Sequence, residues 1–230
     1  KKNIRRIMKI FCIGFNKTGS TSLHGAIKEL GFAEFGSTMA NGEVHLQNLV
    51  GGNVNEVLNY VERNYEAGNE VFKDVPFSVP YFWKNVYKKY PDALYVLSER
   101  DSSEQWYNSI YKFHRKLFKL SEVPSWEEVM KVNYRYNRDT LTGIHVNKLN
   151  TRGGFLYDYL RTTFSENYLP YDKGNMIKCY EEYNKEVKEF FKDNKNFISV
   201  NVSNDNDYIR LANFLEKKPL GNKFPVLNKT

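Results

Sequence analysis

Residues 9–23 read Lys-Ile-Phe-Cys-Ile-Gly-Phe-Asn-Lys-Thr-Gly-Ser-Thr-Ser-Leu and combine three kinds of local structure. An apolar run typical of a buried strand ends at Ile13, and a turn rich in glycine and hydroxyl side chains follows it. From Leu23 to Leu30 apolar residues recur at helical spacing, and Gly31 marks the end of this helix. A strand, a turn and a helix in this order present the free N–H groups and the positive dipole end of the helix to an anion.

The lysine in this turn does not have the spacing of a nucleotide-triphosphate loop. Such a loop reads G-x-x-x-x-G-K-[ST], whereas Lys17 comes two residues before Gly19. The order Lys-Thr-Gly-Ser-Thr-Ser instead resembles the 5′-phosphosulfate loop of sulfotransferases that use 3′-phosphoadenosine 5′-phosphosulfate (PAPS). The resemblance implies that Lys17 is catalytic and contacts the leaving phosphate oxygen. It also implies that the 5′-phosphate is bound by Lys17 together with Thr18, Gly19, Ser20, Thr21 and Ser22.

A second segment extends the resemblance. Residues 93–97 are apolar and predict a strand, Arg100 follows it, and Ser102 or Ser103 can cap the next helix. The apolar face predicted for that helix consists of Trp106, Ile110, Phe113 and Leu117. In sulfotransferases an arginine and a serine in this arrangement bind the 3′-phosphate, which implies these roles for Arg100 and Ser109. A guanidinium suits phosphate because its planar fork of N–H groups matches two phosphate oxygens.

The tail and the middle of the chain also match sulfotransferase patterns. Residues 219–228 resemble the P-x-x-x-x-F-P-x-x-N ending of one branch, and residues 72–76 read Phe-Lys-Asp-Val-Pro. We therefore predict one sulfotransferase-like domain over residues 1–230. Residues 120–175 match least, and we interpret them as a lid or an acceptor-binding insertion. An ordinary surface excursion over 139–175 is the alternative.

The hydrophobic pattern predicts the fold class. Short apolar strands are expected at 8–13, 70–73, 93–98 and 196–201, and helical patterns lie at 54–65, 125–136, 176–190 and 209–215. This alternation favours an α/β, P-loop-like fold with a mostly parallel central sheet and helices on both faces. Ligands of such sheets bind at the carboxyl ends of the strands. The residues expected at those ends are Lys17, Asp74 and Arg100.

Sulfuryl transfer needs a base that accepts the acceptor's proton, and three side chains are candidates. The run Glu43-Val44-His45 resembles the E-V-H of heparan-type sulfotransferases, in which the glutamate is the base. Asp74 lies in a D-x-P pattern that resembles another sulfotransferase branch. Glu43 and Asp74 stay equal candidates, and His45 is the third.

The composition limits the class and location of the protein. The chain has 230 residues and a formal net charge of +7, which suits one domain with a sizeable core and anionic ligands. Cys12 and Cys179 are its two cysteines; they indicate neither a disulfide framework nor a metal site, and no metal is expected. No membrane span or signal peptide is apparent, which favours a cytoplasmic location. A Golgi-type anchor removed ahead of Lys1 stays open as the alternative.

The sequence thus favours an enzyme that transfers a sulfuryl group from PAPS to a hydroxyl or amine of a small-molecule or glycan acceptor. The nucleotide product is 3′-phosphoadenosine 5′-phosphate (PAP). One alternative, a small-molecule or nucleoside phosphotransferase, needs Mg²⁺ ligands and a lysine after the second glycine, and the sequence has neither. Another alternative is a non-catalytic nucleotide- or glycan-binding protein. No nucleic-acid partner is expected because no such signature occurs. The acceptor and the oligomeric state stay open.

Overall fold

The computed structural model describes residues 8–33, 39–132 and 154–226, with the backbone alone at 39–41 and 43. In this part of the chain four strands form one sheet, and all neighbouring strands run parallel. The strands are β1 (Ile10–Cys12), β2 (Val71–Phe72), β3 (Leu94–Glu99) and β4 (Phe197–Asn201), and their order is β2-β1-β3-β4. Each strand coincides with a predicted strand, and only β3 extends one residue beyond its prediction. The predicted α/β class with a parallel sheet is confirmed.

Nine helices occur among the described residues. They are α1 (Ser20–Glu29), α2 (Met39–Val50), α3 (Val54–Glu66), α4 (Phe82–Lys89), α5 (Ser103–Phe118), α6 (Trp126–Met130), α7 (Phe155–Phe164), α8 (Lys173–Phe191) and α9 (Asp205–Phe214). Parallel strands need such crossovers, because each strand must return to the same end of the sheet before the next one begins.

The strands are apolar because helices cover both faces of the sheet. Successive side chains alternate between two cores, so that Phe11 packs into one core while Ile10 and Cys12 pack into the other. The smaller core is formed with helices α1 and α9. The larger core includes residues of α2 through α8 and is rich in aromatic side chains. This two-sided covering leaves the carboxyl edge of the sheet as the place where loops converge.

Helices α2, α4 and α7 were not among the sequence predictions, and α7 changes the interpretation of its region. Leu156, Tyr159 and Leu160 of α7 are buried in the larger core. The described part of the predicted insertion at 120–175 therefore contributes to the core of the protein. Its remaining residues, 133–153, lie outside the described part, and so does Tyr136, the end of the helix predicted at 125–136. The described portion of that helix ends at Met130.

Candidate active site

Two glycines let the loop between β1 and α1 lie close to the neighbouring strands. A Cβ atom on Gly14 would overlap the Ser98 side chain of β3, and one on Gly19 would overlap Val202, which follows β4. Gly19 also has φ 89°, in the left-handed region that favours glycine. Because both positions exclude a Cβ atom, the loop lies tightly against the carboxyl ends of β3 and β4.

The Thr18 side chain holds this loop from the inside. It is fully buried, its Oγ1 donates a hydrogen bond of 2.6 Å to Phe15 O, and the same atom lies 2.6 Å from Ser98 Oγ in a second hydrogen bond. The resemblance implies that Thr18 binds the 5′-phosphate, and these two bonds show that its hydroxyl group is not available for that contact. Since the hydroxyl is engaged inside the protein, Thr18 retains only its backbone N–H for a ligand.

Three side chains from distant elements bind carbonyl oxygens of the loop. Tyr183 donates to Ile13 O at 2.5 Å, Trp106 Nε1 donates to Asn16 O at 3.0 Å, and Arg100 Nε donates to Lys17 O at 2.8 Å. These bonds direct the carbonyl oxygens toward the protein. In addition, the N-cap residue of α1 is Gly19, which has no side chain to cap the first turn. The loop therefore keeps the polarity of an anion-binding site.

The Lys17 amine lies in a half-buried and positively charged environment. Its Nζ is 3.8 Å from the centre of the Phe113 ring on α5, and no carboxylate of the described residues forms an ion pair with it. Burial lowers the pKa of Lys17, the Arg100 charge lowers it further, and the Asp74 carboxylate opposes both effects. The excess of positive charge at this point favours an anionic ligand.

Arg100 lies directly after β3 and beside the loop. Its backbone N–H donates to Tyr180 Oη at 3.0 Å, and burial lowers the pKa of its guanidinium. Because the side chain uses only Nε, on Lys17 O, its two terminal nitrogens make no hydrogen bond to the described residues. The structure thus brings Lys17 and Arg100 together at one edge of the sheet, with a fork of N–H donors available to a phosphate.

Ser109 lies on the side of α5 that carries Phe113. The two residues are one helical turn apart, and the Phe113 ring contacts the Lys17 amine. The Ser109 Oγ atom is buried and has no hydrogen-bond partner in the described part of the chain. A buried hydroxyl without a partner costs about 1–3 kcal/mol, so this atom is well suited to a ligand oxygen.

A protein-family profile described as a sulfotransferase domain matches residues 9–230 of this chain. The chain belongs to the sulfotransferase family. The resemblance inferred from the loop and from Arg100 is therefore confirmed at the level of the family, whose members are transferases that generally use PAPS. No curated protein matches the chain.

Asp74 of this sulfotransferase follows β2, the strand next to β1. Its carboxylate lies 3.4 Å from Lys73 Nζ, and it is near enough to raise the pKa of Lys17. Its φ of 56° is in the left-handed region, which a residue other than glycine rarely adopts. The side chain is half-buried and belongs to the same edge of the sheet as Lys17.

The two other base candidates lie on α2. The side chain of Glu43 is outside the described part of the structure, but its neighbour Gly42 packs near Asp74, since a Cβ there would lie 3.4 Å from Val75 O. His45 is buried against the Tyr60 ring at 3.9 Å. Burial, followed by the Arg63 charge, lowers the pKa of His45 to about 4. His45 is therefore neutral and enclosed, which disfavours it as the base.

The sulfotransferase also has site-supporting residues that the sequence did not identify. Ser98 binds Thr18 from the middle of an apolar strand, and Tyr183 and Trp106 bind the loop carbonyls. The single serine in the run 93–98 is the one sequence signal that could have identified Ser98. Tyr183 and Trp106 occupy helix faces with other aromatic residues, and nothing in their spacing distinguishes them.

The described residues contain no group of three His, Cys, Asp or Glu side chains that could hold a metal ion. None of their helices combines the length and the apolar character that crossing a bilayer requires. Both cysteines are free, and burial raises the pKa of the Cys12 thiol to about 12.

Proposed function

We propose that this sulfotransferase transfers a sulfuryl group from PAPS to a hydroxyl or amine of a small-molecule or glycan acceptor. The observation that carries the proposal is the 2.8 Å hydrogen bond from Arg100 Nε to Lys17 O. It joins the Arg100 side chain to the backbone of Lys17, and neither of these two cationic residues has a carboxylate partner among the described residues. A ligand with a phosphate at each end of an adenosine is the anion that fits such a pair.

The residues divide between the two ends of this nucleotide. The backbone N–H groups of residues 18–22, with the hydroxyl groups of Ser20, Thr21 and Ser22, hold the 5′-phosphate under the positive end of α1. The terminal nitrogens of Arg100 and the unpartnered Ser109 hydroxyl hold the 3′-phosphate. When bound, PAPS supplies the sulfuryl group, and no metal takes part in this arrangement.

Lys17 and a carboxylate support the transfer itself. The S–O bond to the 5′-phosphate breaks while an S–O bond to an acceptor hydroxyl, or an S–N bond to an acceptor amine, forms, and Lys17 stabilises the charge that develops on the leaving phosphate oxygen. The acceptor's proton passes to Asp74 or Glu43. Asp74 has the support of its position beside Lys17, and Glu43 has that of the E-V-H resemblance and of the packing of α2 near Asp74.

Transfer of labelled sulfate from PAPS to a panel of glycans, phenols, alcohols and amines tests this function. We expect Lys17→Ala to lower kcat by about 10²–10³-fold, the usual effect of losing one oxyanion contact. The control is Lys28→Ala, which replaces an exposed lysine of α1 and should leave kcat unchanged. In the same assay, the base is the residue whose substitution, Asp74→Asn or Glu43→Gln, lowers kcat more. A preference for ATP with Mg²⁺ would favour a phosphotransferase. PAP binding without transfer to any acceptor would favour a non-catalytic binding protein.

A further inference from the structure

The second half of α5 concentrates positive charge on one side of the helix. Four cations occur within eight residues, and three of them are lysines with exposed side chains. They are Lys112, Arg115, Lys116 and Lys119, which we call the α5 cations. No aspartate or glutamate occurs from Ser109 to Lys119, and no carboxylate of the described residues forms an ion pair with an α5 cation. The positive charge of this face is therefore not compensated within the described part of the protein.

The spacing of the α5 cations is unfavourable for the helix itself. They form two pairs of like charges at positions i and i+4, which are neighbours on a helix surface and repel each other. The helix dipole favours cations only in the last turn, so it does not account for Lys112. The end of α6 shows the stabilising arrangement, in which Lys131 pairs with Glu127 four residues before it. An anionic ligand would relieve the repulsion on α5.

The α5 cations adjoin the proposed transfer site. Phe113, which follows the first of them, has its ring 3.8 Å from Lys17 Nζ. Arg100 precedes the first residue of α5, whereas Lys116 and Lys119 follow the point at which the helix contacts Lys17. The positive face therefore continues beyond Lys17 on the side away from Arg100, the residue that we propose for the 3′-phosphate.

Arg115 shows how one of these cations is prepared for a ligand. Its guanidinium lies 5.3 Å from the centre of the Tyr111 ring, and the Tyr111 hydroxyl donates to Glu122 O at 2.5 Å. The guanidinium makes no hydrogen bond to the described residues, and its Nε atom is buried without a partner among them. An aromatic ring thus supports a planar fork of donors whose preferred partners are carboxylate, sulfate or phosphate groups.

We propose that the α5 cations bind an acidic acceptor, which carries carboxylate or sulfate groups near the hydroxyl or amine that receives the sulfuryl group. At 1.5 Å per residue the cations extend over about 10 Å of the helix, a length that suits two or three acidic groups of an oligosaccharide. This inference rests on the proposed sulfuryl transfer and adds to it the charge of the acceptor.

Acceptors that differ only in charge test this inference. The probes are oligogalacturonate before and after reduction of its carboxylates to alcohols, and chondroitin sulfate oligosaccharides before and after desulfation. In the triple variant Lys112→Gln, Lys116→Gln and Lys119→Gln, we expect the KM for the acidic forms to rise about tenfold, as for the loss of three exposed charge contacts. The KM for carboxyl-reduced oligogalacturonate and the Kd for PAP should stay unchanged. Added salt should raise the wild-type KM for the acidic forms toward that of the variant.

The matched control is the triple variant Lys185→Gln, Lys195→Gln and Lys218→Gln. These lysines are exposed, make no ion pair with the described residues and lie outside α5, so that the control has the same net charge as the test variant. We expect it to retain the wild-type KM for every probe.

Four results would overturn the inference while the proposed function stands. They are an equal rise of KM in both triple variants, an unchanged KM in the α5 variant, a loss of PAP affinity that accounts for the rise, and wild-type transfer to neutral acceptors alone. An unchanged KM together with weaker binding of RNA or of anionic vesicles by the α5 variant would assign this face to that other partner. Absence of transfer from PAPS to any acceptor, acidic or neutral, removes the proposed function and this inference with it.

Discussion

Lys17 and Asp74, two of the candidate catalytic residues, both have left-handed backbone conformations. Their φ values are 70° and 56°, whereas side chains other than glycine rarely adopt positive φ. Such conformations cost of order 1–3 kcal/mol and persist where the surroundings hold them in place. Here the Arg100 bond to Lys17 O and the Ser78 N–H bond to Asp74 O provide that support. The backbone thus aims both side chains at the same edge of the sheet.

Gly19→Ala should weaken PAP binding and destabilise the protein. The new Cβ atom would overlap Val202, and the alanine would have to adopt a positive φ. Gly68→Ala is the matched control, since its φ is 91° against 89° for Gly19 and nothing lies within 4 Å of its Cβ position. In both variants the positive φ should lower the free energy of unfolding by about 1–2 kcal/mol. In Gly19→Ala the overlap with Val202 should lower it further. Urea unfolding and PAP titration measure the difference.

Adding Val202→Ala to Gly19→Ala should restore part of the lost stability, because it removes the overlapping methyl groups. Equal stability and equal PAP affinity in Gly19→Ala and Gly68→Ala would contradict the tight contact between the loop and the end of β4.

Among the elements, α5 organises most of the site. Ser102 caps it by accepting from Gln105 N at 3.1 Å, as the sequence predicted for Ser102 or Ser103. Trp106 then binds Asn16 O, and Ser109 and Phe113 follow along the helix toward Lys17. Phe113 was predicted to lie on the buried face, but it is half-exposed at the edge of that face and supports the lysine amine instead. One helix therefore carries both the hydroxyl that we propose for the 3′-phosphate and the ring that contacts the candidate catalytic lysine.

The elements differ in how well the sequence predicted them. Strands β1 and β3 were predictable because fully buried parallel strands are continuously apolar. The inward direction of Thr18 was not, since it depends on Ser98, which lies on a strand 80 residues away. Helix α7 was also missed, although its buried residues, such as Leu156, Leu160 and Phe164, recur at helical spacing, because its region was interpreted as an insertion. Local pattern thus predicts elements and motifs, while long-range packing decides which hydroxyl faces a ligand.

At the scale of the whole molecule, two buried histidines link stability to pH. Burial lowers the pKa of His45 to about 4, with help from Arg63, and that of His114 to about 3, with help from Lys17. Both histidines stay neutral in the folded protein, whereas in the unfolded chain they bind protons below the ordinary pKa of 6.5. Since the unfolded state binds more protons as the pH falls, stability decreases below that value.

We expect each histidine to account for about 2 kcal/mol of the stability lost between about pH 6.5 and pH 5. Urea unfolding of the wild-type protein, of His45→Gln and of the double variant with His114→Gln measures this loss. The loss on acidification should shrink with each substitution, whatever the variants' stability at neutral pH. An equal loss in all three proteins would show that other groups govern the acid sensitivity.

The proposed site binds both the 5′-phosphate and the 3′-phosphate of one nucleotide. Calorimetric titration of PAP and of adenosine 5′-phosphate, which lacks the 3′-phosphate, into wild-type protein and Arg100→Ala tests this directly. We predict that PAP binds about 10²-fold more tightly than adenosine 5′-phosphate to the wild-type protein, in line with about 1.5–3 kcal/mol for a hydrogen bond to a charged group. Arg100→Ala should abolish most of this preference, and the affinity for adenosine 5′-phosphate should fall by much less, since it is affected only through the lost bond to Lys17 O. Equal loss of affinity for both nucleotides, or an undiminished preference for PAP, would contradict the assignment of Arg100 to the 3′-phosphate.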